Sequence, residues 1–265
     1  EKTETRSISK EIEIEASIEA VWKALTDAEE LTRWWPLEAN VKPGPGGSIR
    51  MSWGNEYEFE STIEIWEPNK HLRTTFPDSE TTRIAVDYFL ERRGNKTVLR
   101  LVHSGFSEDA DWDELYDCTH RGWDFSLWGL QHYLQYHKGT PRAVIYVRRF
   151  IDQISRQEAW SRLMSKNGIV SDGTLEASMP GTPYNIKTAI GDSLSGKVRL
   201  YLPPKDFSAT VENLNHAVMR LQLDELWGRR DVTLTLSTYG LPQSRVNSLR
   251  ANWTRLFETL FAEGS

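Results

Sequence analysis

Two histidines and a group of tryptophans have the types and positions that suggest chemistry. His103 ends a strand candidate, Thr97 to His103, on which Leu99 and Leu101 share its face, so its ring is expected to point inward. There it is either a donor that orients a polar ligand head or a core histidine bonded to backbone. His120 lies on the apolar stripe of a long helix and is expected to face His103 across the interior. These two are the pair on which an enzyme reading would rest. With no third convergent ligand they do not make a metal site, and neither a metal nor a cofactor is expected. Trp123 sits at the centre of the same stripe, as core or as the floor of a pocket. Trp34 and Trp35 are adjacent and cannot both follow one helical face, so one is expected in the core and one at the rim of a pocket mouth. Arg33, just before them, is either solvated or a partner for an anionic group at that mouth.

Other constellations carry less. The run Glu108-Asp109-Ala110-Asp111-Trp112-Asp113-Glu114 lacks the alternating oxygens and central glycine of a calcium loop, and its acids suit the positive end of the helix that follows. Gly44-Pro45-Gly46-Gly47 lacks the Lys-Ser/Thr of a phosphate loop. No Ser–His–Asp arrangement stands out. Asp87 alternates with Arg83 and Glu91 and is expected outward and solvent-exposed. Cys118 is the single cysteine, which excludes an internal disulfide framework and fits a cytoplasmic setting.

The elements that must position these residues follow from periodicity. Ile8, Lys10, Ile12 and Ile14 alternate with Ser9, Glu11, Glu13 and Glu15 as a half-buried strand. Ser17 precedes a helix with Ala20, Val21, Ala24 and Leu25 on its stripe, and a second short helix is expected from Ala28 to Trp34. Strands are expected at Ser48 to Trp53, Tyr57 to Trp66, Arg83 to Glu91 and Thr97 to His103, with a further one at His71 to Phe76. A helix from about Glu114 to about His137 carries Tyr116, His120, Trp123, Leu127, Leu130, Leu134 and His137 on one face. Gly139-Thr140-Pro141 then breaks the chain.

The order repeats. A strand at Arg142 to Arg149 and a helix at Arg156 to Met164 lead to strands at Tyr184 to Ile190, Lys197 to Leu202, Ser208 to Glu212, His216 to Leu223 and Asp231 to Tyr239. A last helix spans Gln243 to Phe261, where Trp253, Phe257 and Leu260 repeat the spacing of Trp123, Leu127 and Leu130. This predicts a tandem duplication in an α+β chain, residues 1–140 and 141–265, each half a curved antiparallel sheet wrapped around a long C-terminal helix. Such a sheet cannot touch its helix along the full length, and the gap is an elongated cavity.

The 265 residues carry a formal charge of -6 with no dense basic cluster, which argues against nucleic acid as a partner. No run reaches the length of a membrane span.

This layout resembles the START/Bet v 1-like helix-grip superfamily, also called SRPBCC. The first half is similar to the family related to the C-terminal domain of the activator of Hsp90 ATPase. The likeness rests on Ala20-Val21-Trp22-Lys23-Ala24-Leu25-Thr26-Asp27, Leu31-Thr32-Arg33-Trp34-Trp35, Gly46-Gly47, His103-Ser104-Gly105-Phe106 and Arg121-Gly122-Trp123. The second half keeps Ala159-Trp160 and Trp253 but lacks the tryptophan pair and the double glycine, and is read as a degenerate copy. The resemblance implies an apolar pocket between sheet and helix. The expected function is binding of a small apolar or amphipathic molecule, with Arg33, Trp34, Trp35, His103, His120 and Trp123 as candidate ligand-binding residues. A cyclase- or hydrolase-like enzyme and a chaperone-partner module that binds another protein are the alternatives. The cavity is expected in residues 1–140, with the second half as brace or interface, although Tyr184, Tyr201, Trp227 and Tyr239 offer material for a second pocket.

Overall fold

Alternation with period two builds the first sheet. Along β1 (Thr5–Ile14), Ile8 and Ile14 are buried while Ser9, Glu11 and Glu13 are exposed. Along β4 (Glu58–Glu67), Ser61 and Ile63 are buried and Glu58, Glu60, Thr62 and Glu64 are exposed. One face is therefore wet and the other lines an interior. The computed structural model describes residues 4–54, 57–76, 83–175 and 179–262. The chain divides into two units, Glu1–Pro141 and Arg142–Ser265.

In the first unit β1 is followed by α1 (Ile18–Thr26) and α2 (Ala28–Thr32), then β2 (Glu38–Lys42), β3 (Ser48–Ser52), β4, β5 (His71–Thr75), β6 (Ala85–Arg93), β7 (Lys96–Ser107) and α3 (Asp113–Tyr136). The strands form one antiparallel sheet in the order β1-β7-β6-β5-β4-β3-β2. Ser17 caps α1 by accepting the Ala20 N–H at 3.2 Å, so the single serine suffices without a capping-box glutamate. Asp27 ends α1 and accepts the Glu30 N–H at 2.9 Å, which starts α2 in a new direction. That break, and the end of α2 at Thr32, shortens the helix expected to reach Trp34. Strand β2 was not expected from the sequence. Its Ala39 and Val41 are only half-buried, a weak apolar signal for an edge strand.

Two glycines of the first unit are required by geometry. A Cβ on Gly47 would lie 1.9 Å from the Lys42 carbonyl, and one on Gly105 would lie 2.2 Å from the Arg83 carbonyl. Gly105 also has φ +95°, a region costly for residues with a side chain. The double glycine and the His-Ser-Gly-Phe segment thus let backbones meet where the sheet curves.

Helix α3 runs along β1 and buries Trp123, Leu127, Leu130 and Leu134 toward the sheet. Each such side chain contributes roughly 1.5–3 kcal/mol by leaving water. Its far end is tied to α2, because the Tyr133 hydroxyl donates to Glu30 Oε2 at 2.9 Å and accepts the Gly139 N–H at 3.0 Å.

The second unit repeats the plan. It contains β8 (Arg142–Phe150), α4 (Arg156–Leu163), β9 (Asp172–Thr174), β10 (Pro183–Lys187), β11 (Ser193–Leu202), β12 (Asp206–Val211), β13 (Ala217–Leu226), β14 (Arg229–Tyr239) and α5 (Gln243–Leu260). The strand order, β8-β14-β13-β12-β11-β10-β9, places every strand as its counterpart in the first unit. The short β9, fully exposed, has no apolar pattern that could announce it. Two helix-grip domains in tandem are the architecture of this chain.

Candidate functional site

Six rings close into a cycle inside the first domain. Trp35 follows α2, Trp53 and Phe59 flank the β3–β4 turn, Phe76 follows β5, His103 lies on β7 and Trp123 on α3. Ring centroids are 6.4 Å apart from Trp35 to Trp53, 5.7 Å on to Phe59, 5.4 Å to Phe76, 6.2 Å to His103, 6.0 Å to Trp123 and 5.0 Å back to Trp35. These are ordinary aromatic contacts. Opposite members, Phe59 with Trp123 and Trp53 with His103, make no ring contact among the described residues. All but Trp123 keep part of their surface accessible, although their strands turn them inward. The other end of the grip is filled by Trp22 of α1, edge-on to Trp66 at 5.3 Å.

Two polar groups face this interior. The indole Nε1–H of Trp123 donates to His103 Nδ1 at 2.9 Å. An indole nitrogen can only donate, so Nδ1 must hold a lone pair and the ring proton sits on Nε2. Burial pushes the His103 pKa down to about 4, which keeps the ring neutral. Nε2–H is thereby a donor with no partner among the described residues. Tyr88, inward on β6 and edge-on to Trp123 at 6.1 Å, is 5% exposed. No hydrogen bond joins its hydroxyl to another described residue. Burial alone raises its pKa. At the rim Tyr57 is half-exposed, and desolvation raises its pKa, with Cys118 on α3 as a secondary cause.

The candidate residues separate. Trp34 is core, its Nε1–H donating to the Ala24 carbonyl at 2.9 Å, while Trp35 stacks on it at 5.2 Å and joins the cycle. His103 and Trp123 come together. His120 does not reach them. It stands at the seam between α3 and β1, half-exposed, 3.1 Å from Lys10 Nζ and 3.7 Å from Asp124. A one-dimensional stripe could not distinguish its flank from its centre. Arg33 is held by Glu30 and, at 2.8 Å, by Glu29, so its charge is already neutralised. Asp87 does point outward, but it is buried, because His71 Nε2 at 2.7 Å and Arg73 at 2.6 Å close over it. Missed from the sequence were Trp53, Phe59, Phe76 and Tyr88 as members of one site. Continuing the inward register by two residues from Met51, and by four from Ile63 and Leu72, reaches Trp53, Phe59 and Phe76.

The second domain lacks this arrangement. Leu194, Val211, Leu236 and Trp253 are completely buried within one continuous core of aliphatic and aromatic side chains. Tyr184 spends its hydroxyl on the Thr210 carbonyl at 2.6 Å, and Trp227 is 80% exposed on a hairpin tip. Among the described residues no group of three or more His, Cys, Asp or Glu side chains could hold a metal, and no helix is long and apolar enough to cross a membrane.

Residues 15–135 match the family described as Activator of Hsp90 ATPase homolog 1-like protein. Residues 15–135 thus form an AHSA1-like domain. The match spans α1 to most of α3 and so contains the whole ring cycle of this AHSA1-like domain. No curated protein matches the chain. Among solved structures, protein MLL2253 from Mesorhizobium loti is 25% identical over 50% of this chain and 99% of its own, with a TM-score of 0.45. The Aha1 dimer from Colwellia psychrerythraea is 26% identical over 51% and 99%, with a TM-score of 0.44. The di-domain ARO/CYC BexL from the BE-7585A biosynthetic pathway is 14% identical over 98% and 99%, with a TM-score of 0.44.

Proposed function

We propose that the AHSA1-like domain binds a small apolar or amphipathic molecule inside the ring cycle, and that it works by binding rather than by acid–base turnover. The observation that carries this reading is the cycle of six rings, five of them partly accessible, with no partner among the described residues for the Tyr88 hydroxyl or His103 Nε2–H. Two polar groups on an otherwise apolar wall can each hydrogen-bond the polar end of a guest. A general base needs a lone pair toward its substrate, and the His103 lone pair is occupied by Trp123. A general acid at neutral pH needs a proton it readily gives up, and a neutral imidazole does not supply one. The second domain, whose interior is one continuous cluster of buried side chains, is read as a brace or interface. The same reading sets the protein in the cytoplasm, where the thiol of Cys118 stays reduced, and cell fractionation checks that.

The test is native mass spectrometry of the full chain purified without denaturant, with displacement of a fluorescent naphthalene probe as the second readout. Retained mass or probe binding is expected in the wild type. Filling the cycle by Phe76→Trp should abolish it, whereas Leu236→Met in the second domain should leave it unchanged. Probe binding that survives Phe76→Trp would overturn the reading.

A further inference from the structure

An open sheet edge presents unpaired N–H and C=O groups, and folded proteins cover it, shorten it or use it for pairing. The edge strands of the two sheets are β1, β2, β8 and β9. Side chains of α3 cover β1: the Tyr116 hydroxyl donates to the Ser7 carbonyl at 3.0 Å and the Gln131 amide to the Glu13 carbonyl at 2.8 Å. Arg250 of α5 likewise donates to the Val144 carbonyl on β8 at 3.1 Å. Strand β9 is cut to three residues. The five residues of β2 are different, and their register on β3 decides which groups are free. The Trp53 N–H bonds to the Tyr57 carbonyl, so odd-numbered residues of β3 bond toward β4 and even-numbered ones toward β2. Glu38, Asn40 and Lys42, opposite Ser52, Arg50 and Ser48, therefore spend their backbone groups on β3. The N–H and C=O of Ala39 and Val41 point away from the sheet, and no described residue bonds to them.

We propose that β2 pairs with β2 of a second copy of this chain, antiparallel about a two-fold axis, so that the two first-domain sheets run on as one. The segment Glu38-Ala39-Asn40-Val41-Lys42 is complementary to its own reverse. Ala39 faces the partner's Val41, and the two exchange both backbone bonds, which uses the free groups. Asn40 meets the partner's Asn40 on the axis. Glu38 faces the partner's Lys42, and Lys42 the partner's Glu38, at the positions where opposed side chains lie closest. Glu38, Asn40 and Lys42 are all exposed and available for this. Neighbouring registers lose the match. Sliding by two residues either way separates the opposite charges, and one of the slides sets the partner's Pro43, which has no N–H, against Ala39. Charges of one sign along this edge would have repelled a second copy.

The test is sedimentation equilibrium of the full chain from ~1 to ~500 µM. A ladder this short makes a weak dimer, with a Kd on the order of 10 µM. Val41→Pro removes an outward N–H without breaking a ladder bond inside the sheet, and should abolish the dimer. Glu38→Lys and Lys42→Glu each set like charges opposite one another on both sides of the axis, and each should weaken association about tenfold or more. Mixed in equal amounts, the two single variants should associate again as a heterodimer, and the double swap in one chain should restore the homodimer. The charge variants change only exposed side chains, so they decide the matter even if Val41→Pro fails to fold. A monomer throughout the range would overturn the proposal and leave this edge to an extended segment of another protein. A dimer that survives Val41→Pro, or one indifferent to the charge reversals, would overturn it as well.

Discussion

Burial keeps the His103 ring neutral, and one hydrogen bond from Trp123 leaves its proton on Nε2. The consequence for stability follows from linkage. In the unfolded chain an ordinary histidine takes a proton near pH 6.5, and in the folded domain His103 does so only near pH 4. The unfolded state therefore binds the proton first. The stability held by the neutral ring is complete above about pH 6.5 and falls as acid is added, and the loss is finished once pH drops through about 4. Its size is on the order of 3 kcal/mol. Urea unfolding of the wild type should show this decline between those limits, and His103→Gln, which has no titrating ring, should flatten it. An undiminished acid slope in that variant would assign the effect to other groups. His103 also shows what single-residue reading can reach. Its inward direction followed from Leu99 and Leu101, four and two residues earlier, but its partner, twenty residues away on another element, had no local signature.

At the scale of elements, α3 and the inward strand faces were legible because burial repeats with the period of the backbone. The exceptions are instructive. The edge strand β2 has a half-buried pattern, β9 has none, and α2 stops at Thr32 because Asp27 redirects the chain before the tryptophan pair. The end of β7 depends on Gly105, whose positive φ and contact with the Arg83 carbonyl let the strand bend past β6 and set both His103 and Phe106, 4.6 Å apart. Gly105→Ala is expected to cost about 1–3 kcal/mol through backbone strain alone, read as a lowered melting temperature. Because the strain falls beside the ring cycle, probe affinity should weaken in the same variant. A variant of wild-type stability and affinity would show that the bend is not held by this glycine.

For the whole molecule, duplication preserved the plan and not the interior. Both domains share strand order and place a tryptophan at the eleventh position of the terminal helix, yet the two indoles live differently. Trp123 donates to His103, whereas the inward residues of β14, Val232, Leu234 and Leu236, offer no acceptor, and Trp253 Nε1 is buried without a partner. Trp253→Phe removes that unpaired donor, while Trp123→Phe breaks a bond and strands the His103 lone pair. Trp123→Phe should therefore cost about 1–2 kcal/mol more than Trp253→Phe in urea unfolding of the full chain. A Trp253→Phe variant that loses as much would mean that the second domain satisfies its indole in another way.

Sequence alone determined the tandem α+β plan, the inward faces of most strands and the helix stripe of Trp123, since each is a short-range periodic property of the backbone. It also marked Trp34 and Trp35 as a pair that cannot share one helical face, with one of them expected in the core. Tertiary structure decided which one did which, closed six rings from five segments into a cycle, moved His120 to a seam with Lys10 and Asp124, and covered Asp87 with His71 and Arg73. Sheet curvature and strand register bring residues tens of positions apart to within one ring diameter. No pattern with a period of two or of three to four residues encodes that distance.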